Sequence, residues 1–265
     1  MCLALFALDA HPRFALVIAA NRDEYHARGA APAAWWDEGW LAGRDLVAGG
    51  AWLAVDRAAR WALVTSVRDG SRNDPGAPSR GALVPAVLAN DAPPSASVAR
   101  TIGAASAHNG FNLVAGIGAD AHWGSNRGGT ARALGSGIHG LSNAALDTPW
   151  PKVARTKAVL AAWCARADPD FAPLFAMLGD TRRAPDDELP ATGVPLERER
   201  TLSAPFIVGD DYGTRCATVL AIGRDGGVHF VERTFDRHGA VDVEVEDRFA
   251  IAHSKSGATA SGRSR

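Results

Sequence analysis

The sequence predicts a mixed fold of strands and helices, α/β or α+β, and three observations carry that expectation. Apolar runs separated by turn signals open the chain, similar runs close it, and segments with helix-start signals lie between. At 265 residues and 47% hydrophobic composition the chain is long enough for one large domain or two small ones. No linker-like stretch divides it. One domain over residues 1–252 is therefore expected, followed by a Ser/Gly/Lys/Arg tail, 253–265, that reads as disordered.

Two apolar runs, Cys2 to Leu8 and Phe14 to Ala20, flank the turn signal Asp9-Ala10-His11-Pro12 and read as a hairpin. Folded about residue 11, it sets Cys2 opposite Ala20, at the open end where Asn21-Arg22-Asp23-Glu24 begins. Gly29 to Pro32 reads as a loop, and Trp35, Trp36 and Trp40 as core, a folded-over flap or a ligand-stacking platform. Gly43 to Leu46 is a loop feeding a strand from Ala51 to Val55, which pairs with Trp61 to Arg68 as a second hairpin. Residues 69–76 are loop-like. Ser79 is a plausible cap for a helix running to about Ala89, and a second helical stretch spans Ala96 to Ser106.

Phe111 to Gly116 and Ala121 to Trp123 read as paired strands, and Gly124 to Gly129 as an ordinary hairpin loop, since no lysine-serine pair follows as a phosphate cradle requires. Gly137 to Ala144 ends a strand in small and polar residues. Helices are expected from Pro151 to Arg166 and from Asp170 to Leu178. The charged segment after Asp180 is long enough for a lid over residues 180–202. Strands then follow at Ser203 to Val208, Thr214 to Ile222 and Val228 to Phe235, with an edge strand at Val241 to Ile251.

A formal net charge of −1 gives no basic footprint for nucleic acid or an anionic membrane. Cys2, Cys164 and Cys216 are too few and too scattered for a disulfide framework or a zinc site, which fits a reducing cytoplasm. The histidines are dispersed and no metal-ligand spacing occurs. Asp9, Pro12 and Arg13 interrupt the apolar N-terminus, so it reads as neither a signal peptide nor a membrane span.

The chemistry depends on Met1. Its removal leaves Cys2 with a thiol and a free α-amine, which titrates near about 8 and can serve as base for its own side chain. Asp23 is placed to orient that amine. The competing reading makes Cys2 a small buried hydrophobe at a strand start. Asn143 is likewise either a donor to an oxyanion or an asparagine that satisfies its turn.

Ala19-Ala20-Asn21-Arg22-Asp23-Glu24-Tyr25, the Gly49-Gly50-Ala51-Trp52-Leu53 run, Ser79-Arg80-Gly81 before Leu83-Val84, Gly140-Leu141-Ser142-Asn143, Thr148-Pro149-Trp150-Pro151-Lys152, Tyr212-Gly213-Thr214-Arg215 and Phe230-Val231-Glu232-Arg233 occur in that order. Together they resemble the NRDE family, also called the transport and Golgi organisation 2 family. That family is similar to the N-terminal-nucleophile (Ntn) hydrolases of the choloylglycine hydrolase and penicillin V acylase branch. The resemblance implies an α+β fold, a four-layer αββα sandwich of two antiparallel sheets. It also implies a cysteine amidohydrolase in which Cys2 attacks a small acyl amide, Asp23 holds the amine, Asn143 stabilises the oxyanion, and Arg22 and Arg215 set the local charge. Asn21, Glu24, Ser66 and Trp52 are the expected substrate contacts, with Ser66 in the region of a second oxyanion donor. The hydrolase branch commonly has Arg-Asn-x-Asp, whereas Ala20 precedes Asn21 here and the arginine is Arg22. The family's association with haem or lipid trafficking implies the alternative: a non-catalytic binding protein for haem or acyl-coenzyme A on the same fold, with Cys2 merely packed.

Overall fold

Strands β1 (Cys2–Leu8) and β2 (Phe14–Tyr25) form the first hairpin of a computed structural model that describes residues 2–71, 73–167 and 170–252. Met1, the Cys2 side chain and the expected tail from residue 253 lie outside the described residues. The turn is stabilised where Asp9 adopts a φ of +50° and His11 Nδ1 accepts the Arg13 N–H at 3.0 Å. Pairing sets Ala4 opposite Ala20 and Cys2 opposite Arg22, which corrects the expected register by two residues. The polar run is also part of the strand instead of following it. Strand β11 (Tyr212–Gly223) pairs with β2 as far as Tyr25, so backbone hydrogen bonds carry Asn21 to Glu24 as strand despite their polarity.

The first sheet is completed by β10 (Gly137–Leu141), β12 (Gly227–Phe235) and β13 (Val241–Ala250), in the order β10-β1-β2-β11-β12-β13. The second sheet runs β3-β4-β5-β6-β7-β8-β9. Its strands are β3 (Ala30–Trp35), β4 (Trp40–Asp45), β5 (Leu53–Asp56), β6 (Arg60–Ser66), β7 (Phe111–Ile117), β8 (Asp120–Ser125) and β9 (Gly129–Ala133). Every pairing in both sheets is antiparallel.

Side-chain alternation builds the layers. Ala4, Phe6, Leu16, Ile18, Leu220 and Phe230 point from the first sheet toward Leu41, Val55, Trp61 and Val114 of the second, forming the inter-sheet core. Leu5, Val17, Ala19 and Val219 face the other way, onto α3 (Pro151–Cys164) and α4 (Ala172–Leu178). On the far side, Ala54, Ala62, Val64 and Leu113 carry α1 (Leu83–Leu88) and α2 (Pro94–Ala104). The result is the four-layer αββα sandwich of two antiparallel sheets. Cys164 packs in the helix layer, where burial pushes its thiol up to about 11.

Several local expectations are corrected. Gly29 to Pro32 and Gly43 to Leu46, read as loops, fall largely within the hairpin β3–β4. The glycine of the second run survives as strand because the Trp52 ring fills its space: a Cβ on Gly43 would lie 2.2 Å from Trp52 Cζ2. Strand β9 occupies part of the expected glycine loop. Residues 203–208 are not strand; Ala204, Phe206 and Ile207 are buried in a loop. A further helix, α5 (Leu196–Leu202), lies inside the expected lid. Its Glu199 is buried, pairs with Arg68, and accepts the Thr192 hydroxyl at 2.5 Å.

Candidate functional site

Past the end of the inter-sheet core, a cleft of about 510 Å³ opens between β2 and the segment 73–81. Strand alternation divides the polar run of β2. Arg22 and Glu24 follow the inter-sheet parity of Ile18 and Ala20, while Asn21 and Asp23 follow the helix-facing parity of Val17 and Ala19. The cleft gathers Arg22, Asp23, Glu24, Trp52 and Ser66 of the expected site, and adds Arg28, Asp45, Asp74 and Arg80.

One wall is an ion network. Arg22 Nη2 donates to Asp45 Oδ2 at 3.1 Å, Arg28 Nε donates to the same oxygen at 2.6 Å, and Glu24 lies 3.9 Å from Arg22. Burial opposes ionisation of Asp45, but the Arg28 hydrogen bond, the Ala48 N–H and both guanidinium charges hold its carboxyl below the usual range. The Arg22 guanidinium also stacks 4.6 Å from the centre of the Trp52 ring.

Asp23 is buried and accepts the Thr214 hydroxyl at 2.7 Å. Burial pushes its carboxyl up, against the charge of Lys152, the Thr214 hydrogen bond and the charge of Arg22. Lys152 stands in the first turn of α3, is only 1% exposed, and was not anticipated as a site residue. Its signal was a lysine at the start of an otherwise apolar-faced helix, which sequence reads as a solvated residue. Glu232 was also missed. It lies two residues beyond Phe230 on the inter-sheet face of β12, accepts the Ala33 N–H at 2.8 Å and the Thr218 hydroxyl at 3.0 Å, and takes a hydrogen bond from the Cys216 thiol. Burial raises its carboxyl to about 7.

Three expected site residues stand off the cleft lining. Asn21 donates to the Leu178 carbonyl at 2.8 Å and the Pro205 carbonyl at 2.9 Å, tying β2 to the helix layer. Asn143 is fully buried; its amide donates to the Ser66 carbonyl at 2.8 Å and to Ser66 Oγ at 3.3 Å, while its own carbonyl accepts the Arg68 N–H. Thr65 donates to the Ser142 carbonyl at 2.9 Å beside it, so β6 and the end of β10 are stitched together here. Arg215 occupies the β11 bulge and donates to the Tyr25 and His26 carbonyls at 3.3 and 3.2 Å. Cys2 has its backbone paired with Arg22; its side chain, on which the nucleophile reading depends, is outside the described residues.

An αββα sandwich with an ion-lined cleft beside the open end of its first hairpin is the class of protein that fold and site define. The chain belongs to the Transport and Golgi organisation 2 family, whose profile matches residues 1–237. It is 31% identical over 257 residues to the Transport and Golgi organization protein 2 homolog of Bos taurus, covering 88% of this chain and 93% of that protein. The Homo sapiens homolog is 29% identical over 258 residues at the same coverage. Among solved structures it is similar to a Caenorhabditis elegans N-acylethanolamine-hydrolyzing acid amidase ortholog, with a TM-score of 0.48 and 11% identity over 83% of this chain and 92% of that one. It is also similar to the mutant C2A conjugated bile acid hydrolase from Clostridium perfringens, with a TM-score of 0.45 and 9% identity over 95% and 92%. Among the described residues no helix is long and apolar enough to cross a membrane.

Proposed function

We propose that the chain is a cysteine Ntn hydrolase acting on a small, polar acyl amide or related acyl compound. Removal of Met1 frees the Cys2 amine. The thiol sulfur adds to the acyl carbonyl carbon as its proton passes to that amine; the leaving nitrogen then takes the proton, and water cleaves the thioester to release the acid. Asp23, with Lys152 offsetting its burial, is the group that orients the amine. Arg22, the cross-strand neighbour of Cys2, supplies positive charge beside the developing oxyanion. The Asn143 role asks its amide to exchange the longer contact, to Ser66 Oγ, for that oxyanion. Arg215 contributes through its charge alone in this reading.

The observation that carries the proposal is the cleft itself, with Arg22, Asp23, Glu24 and Ser66 on its lining beside the strand end that holds Cys2. Three arginines and four carboxylates on that lining support a polar substrate. Of the ligands of the binding-protein alternative, haem has an apolar macrocycle and acyl-coenzyme A an apolar acyl chain, and both of those parts call for mainly apolar walls. A cytoplasmic setting suits a working thiol.

The test is intact mass of untagged protein followed by a panel of acyl amides. Loss of Met1 and turnover that falls to background in Cys2→Ala are expected. Turnover unchanged in Cys2→Ala, or turnover by protein that retains Met1, sinks the mechanism.

A further inference from the structure

A second cavity, of about 70 Å³, lies behind the cleft at the edge of the sandwich. Arg22 and Trp52 line both spaces, so their stacked pair forms the partition between them. The other walls are the start of β3 at Ala30 to Pro32, Arg215 and Cys216 of β11, Thr234 and Phe235 of β12, and Asp242 of β13.

Each of the three nitrogen-bearing side chains on this chamber carries a buried N–H with no hydrogen-bond partner among the described residues. These are Arg22 Nη1, Trp52 Nε1 and Arg215 Nε. The remaining contacts of both arginines are fixed elsewhere: Arg22 on Asp45 through Nη2, and Arg215 on the Tyr25 and His26 carbonyls through Nη1. Arg22 is only 6% exposed. Unpaired buried donors are uncommon and costly, and three on one small chamber point to an acceptor that belongs there.

The number of donors argues against a single water, which accepts two hydrogen bonds and must place its own two hydrogens as well. A carboxylate has two oxygens with about four acceptor sites and nothing to donate. Its bonds to guanidinium are charge-assisted. The chamber volume equals roughly two waters at about 30 Å³ each, the scale of a molecule of a few non-hydrogen atoms. Asp242, the acidic residue on the lining, is exposed and so screened by solvent.

We propose that this inner chamber binds a small carboxylate of formate to acetate size, held by Arg22, Trp52 and Arg215. The assignment stands whether or not Cys2 is a nucleophile, because none of the three donors depends on that thiol.

Calorimetric titration of the full chain with sodium formate, at ionic strength held constant with sodium chloride, reads it directly. Saturable binding at one site per chain is expected. Trp52→Phe keeps an aromatic ring, smaller than the indole, and removes one donor, and Arg215→Gln removes a second with its charge; each is expected to weaken binding by about tenfold or more. Circular dichroism of each variant confirms folding before the titration. Absence of saturable heat in the wild type, or equal affinity in wild type and a folded Trp52→Phe, overturns the site and leaves the chamber to water. Neither result bears on whether Cys2→Ala abolishes acyl-amide turnover in otherwise unaltered protein, so this proposal and the hydrolase reading fail separately.

Discussion

Glu232 sits between the sheets with its carboxyl held at about 7 by burial, although the Thr218 hydroxyl, the Ala33 N–H and the Cys216 thiol all bond to it. In the unfolded chain the same group releases its proton near 4.5. Between those values the folded state keeps a proton that the unfolded state has lost, so stability falls as pH rises from about 4.5 through 7. The size of that loss is roughly 3 kcal/mol, as an order of magnitude. Glu232→Gln is expected to flatten the slope: urea midpoints at pH 5 and pH 8 should differ less in the variant than in the wild type. An unchanged difference would assign the slope to other groups. Sequence showed Glu232 only as one member of a strand motif. Its protonation comes from burial between the sheets, which packing of strands distant in sequence imposes; the Ala33 N–H, 199 positions away, bonds to it and opposes the rise. Arg22, Asp23 and Glu24 were legible as site residues because four consecutive polar residues interrupt an apolar pattern. The separation of Asn21 from them was less visible, since it follows from β2 continuing as strand, which the β11 pairing imposes.

Among the elements, the segment from Asp180 to Leu202 is the one whose sequence and structure differ most. Composition reads it as a charged lid. Arg68 and Glu199 fasten it with a buried ion pair, and the Gly70 N–H donates to the Thr192 carbonyl at 3.0 Å where two chain segments cross. A Cβ on Gly70 would lie 2.3 Å from the Gly193 carbonyl oxygen, a backbone atom that cannot swing away. Gly70→Ala is therefore expected to cost about 1–3 kcal/mol and to expose residues 189–195 to limited proteolysis while the sheets stay protected. Cleavage at the wild-type rate would show that the crossing does not hold the segment. The two hairpins at Cys2–Tyr25 and Leu53–Ser66 were legible as apolar runs about a turn, although the first was read to end at Ala20 where β2 runs to Tyr25, and in a register two residues off. Strands β3 and β4 were not, because alanine, proline and glycine carry no strand signal; the Trp52 ring and neighbouring strands supply what those side chains lack.

For the whole molecule, the arrangement of layers predicts a gradient of stability. β1, β2 and β11 are central in their sheet and packed on both faces, whereas β13 is an edge strand with Val241 and Val243 exposed. Native-state hydrogen exchange should find the slowest amides at Leu5 to Ala7, Val17 to Ala19 and Val219 to Ala221, and much faster exchange along Val241 to Ala250. Uniform protection across the first sheet would contradict that ordering. The partition made by Arg22 and Trp52 belongs to two cavities at once, so no ligand can reposition it from one side without reshaping the other. Occupancy of the outer cleft and of the inner chamber is thereby thermodynamically linked, and linkage is reciprocal. Whatever factor a carboxylate inside contributes to affinity outside, the outer ligand must return to the carboxylate.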